Sequence, residues 1–220
     1  MAKGNFDRSL LLVLAHEGGW ADHPKDPGGA TMKGVTLATF RRYRPGATKA
    51  DLRNISDADL QRIYRDGYWN VIRGDELPSG LDFAVFDYAV NSGPGRAAKH
   101  LQAVLGVPQD GKVGPITLAA AREADIERVI ELLCTKRLGF LKSLPTWGTF
   151  GKGWERRVNS VLEDALLMAV APVPPQPDVP HYPEQPAGGR KSPVAAVVAL
   201  IVAAIVAAYS FLKSQGVPLP

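Results

Sequence analysis

The sequence predicts a mainly helical protein with one small β-hairpin near its N-terminus and a C-terminal transmembrane helix. Three observations carry that expectation. Apolar residues recur at three- and four-residue spacing through most of residues 5–170, the helical period. A turn-rich stretch, "DHPKDPGGATMKGVT", interrupts that period between residues 22 and 36 and contains the hairpin pattern "TMKGVT". Finally, residues 194–212 run for 19 positions without a charge behind a proline-rich stretch.

The first helix follows from Phe6, Leu10, Val13 and Leu14 at helical spacing, with Asn5 or Asp7 as its cap. Glu17 extends the apolar face into the last turn, and Gly18-Gly19 end the helix. After the hairpin, "ATFRRYRP" and "SDADLQRIYRDGYWNVI" read as helices, the second capped by Ser56 with Asp59 three residues on. "SGLDFAVFDYAVNSG" is apolar all round, which places it at the centre of a domain, with Ser79 and Asp82 as a capping box. Asp87 and Asn91 on that helix must find partners if they are buried. Four further helical patterns follow, "RAAKHLQAVLG", "GPITLAAAREA", "DIERVIELLCTKRLGFLKSL" and "WERRVNSVLEDALLMAV", the second opening on Gly114-Pro115 with proline at the first helical position.

Composition narrows the class. The 220 residues are 45% hydrophobic, enough for a packed core, and the one cysteine, Cys134, excludes an internal disulfide and reads as a small buried hydrophobe. Only three of the 26 basic and two of the 22 acidic residues lie beyond Ala171, so the folded part is mildly basic with mixed charges. This does not point to nucleic acid, but it suits a polyanionic surface such as a cell wall. Residues 171–193 hold eight prolines and read as an extended linker, able to separate its ends by about 60–70 Å. At about 1.5 Å rise per residue, 194–212 is just long enough to cross a bilayer core of ~30 Å. No signal peptide is apparent at the N-terminus, and Arg190 and Lys191 before the span place the N-terminal part on the cytoplasmic face.

Chemistry concentrates in "AHEGGWADHPKDPGGATMKGVT", residues 15–36. A glutamate on the apolar face at a helix C-terminus is desolvated and meets the negative end of the helix dipole, and both favour its protonated form, as a general acid requires. The alternative is a surface glutamate at a frayed helix end. Asp26 follows nine residues later and Thr31 five beyond it; glycosidic hydrolysis needs a proton donor on one side of the bond and a group on the other that positions water or stabilises positive charge. Asp26 could equally be a turn residue of the Pro-Gly-Gly loop. Trp20, Tyr68 and Trp69 are rings that could stack on sugar faces or belong to the core. A zinc-protease site is excluded because "HEGGW" lacks the second histidine, and a calcium loop because Lys33 stands at the twelfth position from Asp22.

These residues carry a resemblance. "HEGGWADHPKDPGGATMKGVT" resembles the signature of glycoside hydrolase family 108, bacterial and phage N-acetylmuramidases with a Glu-Gly-Gly-aromatic motif. "YRDGYWNVIRGDELPSGLDFAVFDYAVNSG" resembles that family's second block, while "AAKHLQAVLGVPQDGKVGPITLAAA" and "RLGFLKSLPTWGTFGKGWERRV" resemble the peptidoglycan-domain half after it. The resemblance implies an α+β lysozyme-like fold, peptidoglycan as substrate, Glu17 as general acid, and neither metal nor cofactor. The order Glu17, Asp26, Thr31 is also similar to the Glu, Asp, Thr order of phage-type lysozymes, with Thr31 one residue earlier than that pattern; Trp20 stands where the family usually carries tyrosine.

The expected organisation is a catalytic region over 1–95, a helical lobe over 96–170 that binds glycan or completes the core, a linker over 171–193 and a membrane span over 194–212. Glu17, Asp26 and Thr31 are the candidate catalytic residues, and Trp20, Tyr68, Trp69 and Asn91 the candidate substrate contacts. The expected activity is an endolysin-type muramidase acting on the wall, reached through a holin or another export route. A silent peptidoglycan-binding or membrane scaffold and a lytic transglycosylase are the alternatives.

Overall fold

The computed structural model describes residues 4–22 and 29–170. Nine α-helices and one two-stranded antiparallel hairpin are found there: α1 (Asn5–His16), β1 (Thr31–Met32), β2 (Val35–Thr36), α2 (Leu37–Tyr43), α3 (Lys49–Arg53), α4 (Asp57–Tyr64), α5 (Leu81–Ser92), α6 (Pro94–Leu105), α7 (Pro115–Glu123), α8 (Ile126–Lys142) and α9 (Trp147–Val170). The expected mainly helical architecture with a small hairpin is observed. Among the described residues no helix is long and apolar enough to cross a membrane; residues 171–212, with the expected linker and span, lie outside them.

The described chain forms two compact units, one of residues 13–22 and 29–63, the other of residues 4–12 and 64–170. The smaller unit is built on short local signals. Lys33 and Gly34 both have positive φ, 47° and 75°, which is the two-residue turn that matches the twist of a tight hairpin. The register pairs Thr31 with Thr36 and Met32 with Val35. Thr36 then ends β2 and caps α2, its hydroxyl accepting from the Thr39 amide at 3.1 Å. Thr48 and Asp51 form a full capping box on α3, and at the start of α4 the Ser56 hydroxyl accepts from the Asp59 amide at 3.1 Å and donates to the Asp59 carboxylate at 2.9 Å.

The larger unit is organised around α5. Residues Leu81 to Ala89 are all buried, and α6, α8 and α9 pack on that helix. Burying Asp87 costs heavily in a low-dielectric core unless the charge is paired. Here Arg137 of α8 donates to Asp87 Oδ1 at 2.7 Å, and Arg157 of α9 donates to Oδ2 at 2.7 Å. Burial alone would raise the Asp87 carboxyl, but the guanidiniums of Arg157 and Arg137 outweigh it and hold the group well below the usual carboxylate range. A chain ending at residue 95 would lack α8 and α9, which pack on α5, together with both partners of Asp87. Cys134 is buried as expected, and burial pushes its thiol up to about 11.

The start of α5 departs from the predicted capping box. The N-cap is Gly80, and the Ser79 hydroxyl donates instead to the Met168 carbonyl of α9 at 2.7 Å. The approach is close: a Cβ on Gly80, whose φ is +82°, would collide with the Ala165 carbonyl oxygen. Asn5 is likewise no helix cap. It is buried inside α1, and its amide donates to Ser79 Oγ and Asp82 Oδ2, each at 2.9 Å. Burial raises the Asp82 carboxyl to about 7 against the opposing pull of hydrogen bonds from Asn5 and the Phe83 amide.

Helix α4 does not run on through "RDGYWNVI". A single π-helical turn, Arg65–Trp69, follows it, and the Asn70 amide reaches back to the Arg65 carbonyl at 2.8 Å. The wider turn swings Trp69 fully inward, edge-on to Phe6 and Phe86, with its indole N–H donating to Asp75 at 3.0 Å. Gly74 is required beneath it, because a Cβ there would collide with the indole ring.

Two outcomes follow from these buried carboxylates. Asp87→Asn removes the charge that neutralises two guanidiniums and should destabilise the fold by about 3–5 kcal/mol, read by chemical denaturation; a loss below about 1 kcal/mol would contradict the role assigned to the triad. Asp82 has a folded pKa above its ordinary value of 3.8. The proton it retains stabilises the fold in acid, and that contribution is lost as pH rises from about 4 to 7. The melting temperature of Asp82→Asn should therefore gain on that of wild type across this window, and parallel pH curves would contradict the assignment.

Candidate active site

The segment after α1 is shaped by its backbone. The helix ends at His16, so Glu17 is the first residue beyond it and not part of the last turn as expected; its amide closes a tight turn onto the Leu14 carbonyl at 3.1 Å. Glu17 is half-buried. Two glycines follow, and the chain then becomes extended. Ala21 pairs antiparallel with Thr31, through Ala21 N–H to Thr31 C=O at 2.9 Å and the reciprocal bond at 2.8 Å. This bridge closes a loop of residues 22–30. Asp26 belongs to that loop but lies outside the described residues. The Thr31 hydroxyl donates to the Gly29 carbonyl at 3.2 Å, so in this state it tightens the end of the loop.

Helix α3 grips the same extended segment from the side. Lys49 Nζ lies 3.0 Å from both carboxylate oxygens of Asp22, and the Arg53 guanidinium lies 5.7 Å from the centre of the Trp20 ring. Residues i and i+4 of a helix share a face, as do residues i and i+2 of an extended strand, and their repeats of about 6 Å match. Lys49 and Arg53 therefore address Asp22 and Trp20 as a pair. Neither basic residue was singled out in the sequence, although the Thr48-x-x-Asp51 capping signature and the four-residue Lys-Arg spacing were both there to be read.

The candidates thus fall into two groups. Glu17, Trp20 and Thr31 belong to the smaller unit, with Trp20 half-buried beside the bridge to Thr31. Tyr68, Trp69 and Asn91 belong to the larger. Trp69 must be corrected: it is 0% exposed and packed among Phe6, Phe86 and Asp75, so its ring is core and offers no face to a sugar. Tyr68, on the same π turn, is half-buried with its ring 5.7 Å from that of Tyr64. Asn91 is half-buried at the end of α5, where its side-chain oxygen accepts from Ser92 at 3.0 Å.

Comparison with known proteins gives the arrangement a family. The family model for glycosyl hydrolase 108 matches residues 10–93, a span that starts in α1 and ends just past α5. No curated protein matches. Among solved structures, SagA of Brucella abortus is 47% identical, with a TM-score of 0.70, over 77% of this chain and 98% of that one. A chain that shares this much sequence over nearly the whole of a family member, and carries the family's own match around Glu17, belongs to glycosyl hydrolase family 108 and is a lysozyme-like glycoside hydrolase with a peptidoglycan-hydrolase role.

Proposed function

We propose that the protein is an N-acetylmuramidase that hydrolyses the β-1,4 bond between N-acetylmuramic acid and N-acetylglucosamine, with Glu17 as general acid. The observation that carries this reading is the placement of Glu17. It is the one carboxylate at the point where α1 stops and two glycines free the chain, inside the span matched by the family. In the reaction Glu17 gives its proton to the departing glycosidic oxygen as positive charge builds on the muramic acid ring. Asp26, on the loop closed by the Ala21–Thr31 bridge, stabilises that charge or orients the attacking water, and the Thr31 hydroxyl turns from Gly29 to the same water. Trp20 supplies an apolar face for a sugar ring; Tyr68 and Asn91 stay candidate glycan contacts of the larger unit.

The remainder of the proposal concerns place. Residues 194–212 hold the protein at the membrane and the proline-rich 171–193 spaces the enzyme from it. The basic pair Arg190 and Lys191 sets the enzyme initially on the cytoplasmic face, from which a holin or a similar membrane lesion gives access to the wall.

Glu17→Gln keeps the shape of the side chain but has no acidic proton. Turnover of purified peptidoglycan should fall by at least ~10²-fold, with the melting temperature and sedimentation with peptidoglycan retained. Undiminished lysis by this variant would rule out the mechanism. For the tether, the full chain should fractionate with membranes and a chain ending at Ala171 should not; equal distribution of the two would remove the anchor from the proposal.

A further inference from the structure

Helix α3 carries three charged residues, and two of them are satisfied. Lys49 is neutralised by Asp22 at 3.0 Å. Asp51 accepts from the Thr48 amide and hydroxyl at 2.8 and 2.7 Å, which holds its carboxyl below the usual range. Arg53 is different. It is exposed at the end of the helix, and among the described residues no carboxylate pairs with it; its recorded contact is the half-buried indole of Trp20. An aromatic ring three residues after Glu17 and a guanidinium with no carboxylate partner among the described residues therefore stand together.

This combination has a definite complement. The indole takes the apolar face of a pyranose, while a planar guanidinium binds a carboxylate through two parallel N–H donors. At 5.7 Å from the centre of the indole the guanidinium makes a loose cation–π contact, which leaves its N–H donors for a ligand. The ligand that fits is an N-acetylated sugar with a carboxylate a few ångströms from its ring. A neutral glycan fits only half of the site.

We propose that Arg53, with Trp20, forms a subsite that recognises the carboxylate of an acidic amino-sugar polymer, making Arg53 a specificity-determining residue. The inference rests on the muramidase reading for the identity of the polymer. In peptidoglycan the carboxylate has two sources, the lactyl group of muramic acid where the peptide stem has been removed and the stem peptide where it is present.

Binding decides the matter without turnover. The full chain carrying Glu17→Gln is sedimented with intact peptidoglycan, with peptidoglycan whose carboxylates have been converted to neutral amides, and with glycan stripped of stems by an amidase. Adding Arg53→Gln should weaken binding to intact peptidoglycan or to stem-free glycan, whichever presents the recognised carboxylate, roughly three- to tenfold at low salt, the effect of losing a charge-assisted contact at an exposed site. Arg53→Lys should recover part of it. On the neutralised polymer all three proteins should bind equally, and the Arg53 parent should itself bind that polymer more weakly than the native one. A deficit on intact peptidoglycan that disappears on stem-free glycan assigns the stem, and a deficit on stem-free glycan assigns the lactyl carboxylate that the amidase frees.

Equal binding of parent and Arg53→Gln both to intact peptidoglycan and to stem-free glycan would overturn the inference, as would a deficit that survives neutralisation. If Arg53→Gln does not fold, the comparison of native and neutralised polymer with the parent alone decides, with equal binding counting against it. Wild-type protein that binds with the expected Arg53 dependence but cleaves nothing would sink the muramidase reading and leave the carboxylate subsite standing.

Discussion

The larger unit depends on one buried charge. Helix α5 has no polar face, and Asp87, fully buried on it, is reached by guanidiniums from α8 and α9. Apolar packing alone tolerates many slightly different seatings of these helices. A carboxylate with two fixed partners does not, because any register that misses either arginine leaves a charge desolvated and unpaired. The same logic, with weaker bonds, ties the start of α5 to α1 and α9. Asn5 donates to both Asp82 and Ser79, Ser79 donates in turn to the Met168 carbonyl, and Gly80 admits the backbone of α9 where no side chain fits.

The smaller unit solves a different problem, that of holding a short irregular segment still. Glu17, two glycines and an extended stretch have little local preference of their own. The Ala21–Thr31 bridge fixes the stretch on one side and α3 fixes it on another, through the matched repeats of Lys49 with Asp22 and Arg53 with Trp20. Candidate catalytic residues on a loop are thus presented by a hairpin and a capped helical turn, the usual division between a rigid scaffold and a chemically active connection.

Elements with strong local signals were legible in advance. The all-apolar α5, the proline-led α7, the Ser56 cap and the Lys33-Gly34 hairpin turn all declare themselves within a few residues. What escaped was decided by distant partners. Ser79 and Asp82 have the spacing of a capping box, yet Met168 and Asn5 offer bonds that a three-residue pattern does not reveal. Trp69 read as a possible sugar platform because nothing local distinguishes a π turn from a continued α-helix, and that turn sends the ring into the core. Helix α3 is too short for apolar periodicity to register. The ties that α5 makes to α8 and α9 were not legible locally, because the partners of Asp87 lie 50 and 70 residues further along the chain. Of the candidate site, the Glu17 motif was visible from sequence, whereas the position of Arg53 beside Trp20 needed the fold.

The identity of the cleaved bond bears most directly on the whole account. Peptidoglycan digested to completion by the wild-type protein, with its fragments analysed by mass spectrometry after borohydride reduction, should yield products ending in reduced N-acetylmuramic acid. Products ending in N-acetylglucosamine, or in anhydromuramic acid, would show that a different bond is broken or that water is not the acceptor, and would contradict it.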